Sequence, residues 1–269
     1  MEDLFLQFRR RGGVGPLTRR VADVVFDACE VSDVLGADLG HRYSVTSYRS
    51  AATILERRAP SELEMIRQVL RDFTISEREI RMPGGNEMTA THRFGQLAEA
   101  AGFHTQVRIE ADLVVRLRAG KGDHAPEIDR ILREDYIHNH LVDFWKGRVA
   151  FDYEWNSKDQ TYDRDLYAFR SFFEAGVIDV GVIVTRELSN EYFKGLGYAL
   201  DKAGRETDKT VAAKFGASTT GTHKLISRIG AGRSGGCPVL AIGILPGNVT
   251  LDGEAPARPD TRGATLFDT

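Results

Sequence analysis

The chain has 269 residues, a formal net charge of −3 and 42% hydrophobic residues. That composition excludes a globally disordered chain and fits one large domain, or a core with a smaller appendage. The two cysteines, Cys29 and Cys237, are far apart and belong to no C-x-x-C pair, which argues against both a disulfide framework and a zinc finger.

No apolar run is long enough for a bilayer span; Val239 to Leu245 is typical. The start is charged at once, at Glu2, Asp3 and then Arg9 to Arg11, without the apolar stretch of a signal peptide. A soluble, cytoplasmic protein is expected, with neither membrane nor nucleotide cofactor. Charge is unevenly spread. No acid occurs from Leu4 to Ala22, which holds Arg9, Arg10, Arg11, Arg19 and Arg20. None occurs from Lys209 to Leu251, which holds Lys209, Lys214, Lys224, Arg228 and Arg233. Such stretches are either solvated surface or patches that face phosphates.

In chain order, residues 1–85 read as a mostly helical region packed on a core. Ser61-Glu62-Leu63-Glu64 has the form of a capping box opening a helix through Leu70. Pro83-Gly84-Gly85-Asn86 breaks the pattern and sets the boundary to a core over 86–269. A helix is expected from Met88 to Ala101, stopped by Gly102. A strand follows at Val107–Leu113 and a short helix at Pro126–Tyr136. Arg148–Asn156 reads as a strand, Tyr162–Glu174 as a helix, and Val177–Thr185 as an interior strand apolar on both faces. Glu187–Leu200 reads as a helix. The Gly-, Ser- and Thr-rich stretch 201–236 reads as a long loop of the kind that usually carries a function, and Pro238–Leu245 as a last strand. Strands interleaved with helices predict an α/β fold, a central mixed sheet flanked by helices.

The chemistry is concentrated between Asp143 and Asn156. Side chains alternate across a strand, so Asp152, Glu154 and Asn156 share one face and Phe151, Tyr153 and Trp155 the other. The aromatic face suits a core. The acidic face then holds two carboxylates about 7 Å apart at Cα, from a rise of ~3.3 Å per residue. Asp143 stands just upstream, where a hairpin or bend would return it to that face. Carboxylates brought together repel unless a cation neutralises them, and Mg²⁺ favours one or two carboxylates with waters and phosphate oxygens. An ordinary exposed acidic strand face is the competing reading of this spacing.

These residues resemble the active-site block of the BglII/BstYI group of type II restriction endonucleases. That group is related to BamHI and shares the PD-(D/E)xK nuclease core. The matching steps are Asp143-Phe144, the turn Trp145-Lys146-Gly147, Arg148-Val149-Ala150, then Asp152 and Glu154. Ile178-Asp179-Val180-Gly181-Val182 and Pro238 to Pro246 also resemble the family, and the similarity runs from about Met88 to Pro246. The resemblance implies that Asp143 and Asp152 bind metal and that Asp143, Asp152 and Glu154 are catalytic. It also implies Mg²⁺ as cofactor, with Mn²⁺ able to substitute. Asp152 stands where the family usually has Glu. Glu154 stands where most such nucleases have Lys, and serves as base or metal ligand. A second register would use Asp143, Glu154 and Asn156. Lys158 and His92 are further candidates for catalytic support.

The implied activity is hydrolysis of double-stranded DNA at a short palindromic site, by a homodimer that leaves 5′-phosphates. The alternatives are a structure-specific or repair nuclease of the same superfamily and a DNA-binding protein without cleavage. For contact with DNA, Ser157-Lys158-Asp159-Gln160 leaves the active-site strand directly. The acid-free stretch adds Lys209, Lys214, Thr219, Thr220, Thr222, His223, Lys224, Arg228 and Arg233, hydroxyl and cationic groups suited to base edges and phosphates. That stretch is expected to be mobile and to order on DNA. Tyr167, Phe169, Phe172 and Phe173 are expected to supply aromatic surface to the dimer contact.

Overall fold

A computed structural model describes residues 26–84, 88–216 and 218–251. The arginines from Arg9 to Arg20 lie outside the described residues, as do Gly85 and Asn86 of the breaker. The described chain opens with β1 (Phe26–Asp27), α1 (Val31–Leu35), β2 (Tyr43–Tyr48), α2 (Ala51–Arg58), α3 (Pro60–Asp72), β3 (Ile75–Ser76) and α4 (Glu77–Arg81). Then come α5 (Thr89–Ala101), two long strands, β4 (His104–Arg118) and β5 (Glu127–Lys146), and β6 (Val149–Glu154). They are followed by α6 (Thr161–Glu174), β7 (Val180–Arg186), α7 (Asn190–Gly195), β8 (Tyr198–Leu200) and β9 (Glu206–Thr210). The described part closes with α8 (Val211–Lys214), α9 (Thr222–Gly230), β10 (Val239–Ile244) and β11 (Val249–Thr250).

The runs that are apolar on both faces form the middle of a seven-stranded sheet, ordered β1-β2-β10-β7-β6-β5-β4. Strands β6, β7 and β10 run parallel, and the other neighbours antiparallel. The expected mixed α/β sheet is present. One face carries Phe151, Tyr153, Val182, Val184, Leu240 and Ile242 into a core shared with α3 and α5. The other face carries Ala150, Ile183, Val239 and Ala241 into a second core under α6 and α9. Gly181 lets α6 lie close on the sheet there, since a Cβ at that position would fall 2.2 Å from the Phe169 ring.

Several elements differ from the sequence reading. Tyr43–Tyr48 is a strand of the central sheet, pairing antiparallel with β10. It lies inside the stretch that reads as helical, because its serines and threonine leave an apolar alternation too thin to register. Pro60 begins α3 with Ala59 as its N-cap, so Ser61 does not cap it, whereas Ser76 and Glu79 form a complete capping box on α4. Pro126–Tyr136 is strand, not helix: Ile131 and Leu132 pair with Val115 and Val114 across a long hairpin. The spacing of Ile128, Ile131, Leu132 and Tyr136 imitates a helical stripe, and all four are exposed on the hairpin. The helix expected to reach Leu200 ends at Gly195, and Gly197 takes a left-handed φ of +70° before β8.

The 201–236 stretch is folded, not a single loop. Val211, Phe215, Leu225 and Ile229 are buried and pin α8 and α9 to the body of the protein. Likewise Phe169 and Phe172 of α6 are fully buried and Phe173 is partly covered, leaving Tyr167 as the exposed aromatic of that helix. Burying each phenylalanine stabilises the monomer by roughly 1.5–3 kcal/mol, and this takes most of the aromatic surface away from any dimer contact.

Candidate active site

Hairpin pairing brings the acids together. Strands β5 and β6 meet at Phe144↔Phe151, Trp145↔Ala150 and Lys146↔Val149. The turn between them holds Gly147 at a φ of +56°, the left-handed region that glycine adopts without strain. One step beyond Phe144↔Phe151 the backbone ladder stops, and Asp143 and Asp152 stand opposite each other. Their carboxylates replace the missing ladder bonds. Asp143 N–H donates to Asp152 Oδ1 at 2.8 Å, and Tyr153 N–H donates to Asp143 Oδ2 at 3.1 Å. Gln106 Nε2, from β4, donates to Asp143 Oδ1 at 3.2 Å.

The alternation assigned from sequence is present. Phe151, Tyr153 and Trp155 enter the first core, while Asp152 and Glu154 point to the face covered by α6. These acids are not on an exposed strand face. Asp152 is 4% exposed and Glu154 6%. A fourth acid joins them that sequence reasoning missed: Asp165 of α6, 4% exposed. Only its place on the inner side of the Tyr162–Leu166–Phe169 stripe hints at it in the sequence. Arg164 reaches across, with Nη2 2.9 Å from Asp165 Oδ1 and 3.8 Å from Glu154 Oε1.

Burial marks all four groups, and repulsion by neighbouring acids adds to it at Asp152, Glu154 and Asp165. Burial raises Asp143, against the hydrogen bonds from Tyr153 and Gln106 that lower it. Asp152 is raised well above the usual carboxylate range by burial and by the charges of Asp165, Asp143 and Glu154. Glu154 is pushed up to about 8 by burial and then by Asp165 and Asp143. Asp165 is pushed up to about 6, again mainly by burial. Two of their oxygens, Glu154 Oε2 and Asp165 Oδ2, are buried without a hydrogen-bond partner. Buried carboxyl oxygens of this kind are costly to leave charged and unpartnered; a proton shared between Glu154 and Asp165 relieves them without metal, and a hard cation is the other partner such donors fit. The present rotamers do not converge on one: among the described residues no three His, Cys, Asp or Glu side chains close on a point that could hold a metal ion. Asp143 and Asp152 each have an oxygen engaged by a backbone N–H instead.

Glu154 sits at the carboxyl end of β6, where parallel strands of open α/β sheets present their ligands. A buried hydrogen-bond chain fixes that end. Thr185 Oγ1 lies 2.6 Å from the Glu154 carbonyl, Tyr162 OH lies 2.6 Å from Thr185 Oγ1, and Gly221 N–H donates to Tyr162 OH at 2.9 Å. Asn156 follows with its Oδ1 buried and unpartnered. His92 does not approach the acids: it is exposed on α5, which packs on the aromatic face of β6, and it contacts Gln96.

The two segments singled out for DNA contact lie side by side. Lys158 and Thr219 form an antiparallel bridge, with Asp159 N–H bonded to Ser218 O and Thr220 N–H to Ser157 O, both at 2.9 Å. Lys158, Gln160 and His223 are exposed here. Several other candidates are occupied within the fold. Thr220 is fully buried, and Thr222 donates to the Arg186 carbonyl. Thr219 is held by Arg186. Lys214 Nζ donates to the carbonyls of Ile80 and Met82, and burial lowers it to about 8. Lys224 and Arg228 pair with Asp159, and Arg228 and Arg233 with Asp163. Three cations of the acid-free stretch are therefore neutralised by acids, Asp159 just before α6 and Asp163 in its first turn. Lys209 is exposed on β9.

No helix among the described residues is long and apolar enough to cross a membrane. No curated protein matches the chain. The family described as restriction endonuclease BglII/BglIII matches residues 43–244, from the first residue of β2 to the last of β10. The match thus takes in β2, upstream of the stretch that carries the resemblance, and it spans every strand of the central sheet but β1, with the acids the sheet positions. The chain belongs to the BglII/BglIII family of restriction endonucleases and is a type II site-specific endonuclease that binds DNA.

Proposed function

We propose that the enzyme hydrolyses double-stranded DNA at a short palindromic site with a divalent cation, Mg²⁺ foremost and Mn²⁺ in its place, and leaves 5′-phosphates. The observation that carries this reading is the group of buried, mutually repelling carboxylates at the point where the β5–β6 ladder opens. Asp143 and Asp152 are the residues that would hold the cation, with their oxygens turned from the present bonds, and Glu154 stands beside them. When bound, Mg²⁺ supplies charge neutralisation and an acidified water. Without metal Glu154 is pushed up to about 8, and a bound cation would lower it, leaving the carboxylate that suits the proton acceptor for the attacking water. Water adds to phosphorus, the bond to the 3′ oxygen breaks, and that oxygen leaves with a proton. Asn156, adjacent and with its buried Oδ1 unpartnered, carries the second register with Asp143 and Glu154.

Lys158, Gln160, Ser157 and His223 are the side chains we assign to DNA near the acids, since they are at least partly exposed and follow Glu154 or its bridged neighbour. A two-fold homodimer matches the two equivalent phosphates of a palindrome. Uncovered apolar side chains are available for it at Tyr167 and along the hairpin at Val114, Ile131 and Leu132.

The test is digestion of a sequenced plasmid with Mg²⁺, followed by mapping of the ends. Discrete fragments sharing one palindrome, ligatable without added kinase, are expected. Cleavage that follows branched or damaged structure, with no common sequence, would replace this reading with a structure-specific nuclease.

A further inference from the structure

Arg164 is the unusual member of the acid group. Neighbouring positions on a helix do not face each other, yet Arg164 curls back over α6 so that Nε and Nη2 both donate to Asp165 Oδ1, at 3.1 and 2.9 Å. Its charge acts on Asp143, Glu154 and Asp165, and Asp152 acts on it in turn. A residue serving only to neutralise buried acids would itself be enclosed. Arg164 is not: its side chain is 68% exposed. Nη1 donates to none of the described residues, so one edge of the guanidinium is left towards solvent. The cations nearby are engaged, with Lys224 and Arg228 on Asp159.

A phosphodiester carries its charge on two non-bridging oxygens, the pattern a guanidinium edge binds with two N–H groups. Its approach to four carboxylates is repulsive unless a positive group stands in front. We propose that Arg164 is a substrate-contacting residue of this endonuclease, gripping the scissile phosphodiester with its outward edge, and that Asp165 is the positioning residue that aims it. The proposal rests on the reading of the acid group as the hydrolytic centre. It adds a contact outside the Asp143, Asp152 and Glu154 set. The unpartnered, buried Asp165 Oδ2 fits this role, because one oxygen of Asp165 holds Arg164 while the other points into the group.

The experiment uses the duplex defined by end mapping, synthesised once with native phosphate and once with an uncharged methylphosphonate at the scissile position. Dissociation constants are measured in Ca²⁺ with full-length wild type, Arg164→Gln, Arg164→Lys and Asp165→Asn, each checked by circular dichroism. Wild type should lose about 10-fold more affinity on the methylphosphonate than Arg164→Gln does, the scale of one hydrogen-bonded charge pair, since the cation's share of the phosphate contact is lost in both. Arg164→Gln should start about 10-fold weaker than wild type on native DNA. Arg164→Lys should keep part of the discrimination, since it keeps charge without the fork. In Mg²⁺, Asp165→Asn should lower kcat by roughly 10-fold with little change in KM, the signature of a misaimed group. An equal methylphosphonate loss in wild type and Arg164→Gln, or wild-type cleavage by Arg164→Gln, overturns the proposal. If Asp165→Asn does not fold, the Arg164 arms decide alone. Full cleavage by Asp143→Asn, or no cleavage by folded wild type, instead overturns the reading of the acids, and this proposal with it.

Discussion

Glu154→Gln should make the metal-free enzyme more stable at alkaline pH and flatten its response to pH. Glu154 is 6% exposed and is pushed from an ordinary 4.5 up to about 8. Between those values the folded state keeps a proton that the unfolded chain has released. Stability from this group is therefore complete below about pH 4.5 and is lost as pH rises through about 8. At ~1.4 kcal/mol per pH unit the full shift corresponds to about 5 kcal/mol, and because the neighbouring acids share protons we expect about 3–5 kcal/mol to be realised. For a chain of this size that is roughly 5–15 °C in melting temperature.

The assay is a series of thermal melts in EDTA from pH 5 to pH 8.5. Wild type should melt at steadily lower temperature as pH rises. Glu154→Gln should track wild type at pH 5 and exceed it by several degrees at pH 8.5. Saturating Mg²⁺ should restore much of the loss in wild type at pH 8.5 and less in the variant, since a cation that binds only the folded state stabilises it. A wild-type melting temperature that climbs from pH 5 to pH 8.5, or a Glu154→Gln variant less stable than wild type at pH 8.5, would refute the argument from buried repulsion.

Asp143→Asn and Asp152→Asn should each reduce plasmid cleavage by at least about 100-fold with the fold retained by circular dichroism, and near wild-type cutting by Asp152→Asn beside a dead Asn156→Ala would favour the second register. EDTA should abolish cutting, and Ca²⁺ should support duplex binding with little turnover, as read by gel shift against fragment yield. Gly181→Ala should destabilise the protein by about 1–3 kcal/mol in chemical denaturation, because its Cβ would fall 2.2 Å from the buried Phe169 ring. Light scattering should give a dimer; a monomer both free and on its mapped site would end the symmetric reading.

The parts of the fold legible in the sequence are those in which pattern and environment coincide. Strands β7 and β10 are apolar on both faces because helices cover both faces, so a continuous apolar run marks each. The aromatic and acidic faces of β6 follow from strand alternation alone. Strand β2 escaped because Ser44, Thr46 and Ser47 interrupt it, and Ser47 is satisfied by Asp27, a partner distant in sequence. The hairpin of β4 and β5 misled for the converse reason: its exposed apolar residues fit two periods, and only pairing with Val114 and Val115 selects the strand.

The site divides in the same way. Asp143, Asp152 and Glu154 lie within one hairpin, so spacing and a short turn suffice to join them. Asp165 and Arg164 belong to a helix that meets the hairpin only after the sheet closes, and no local spacing announces that meeting. The cations of the acid-free stretch mislead in a related way. Acid-free in sequence is not acid-free in space, because Asp159 and Asp163 come across to Lys224, Arg228 and Arg233. These cations are held by acids inside the fold, whereas the Arg164 side chain stays largely exposed beside the carboxylates, which is why the proposed phosphate contact is assigned to it.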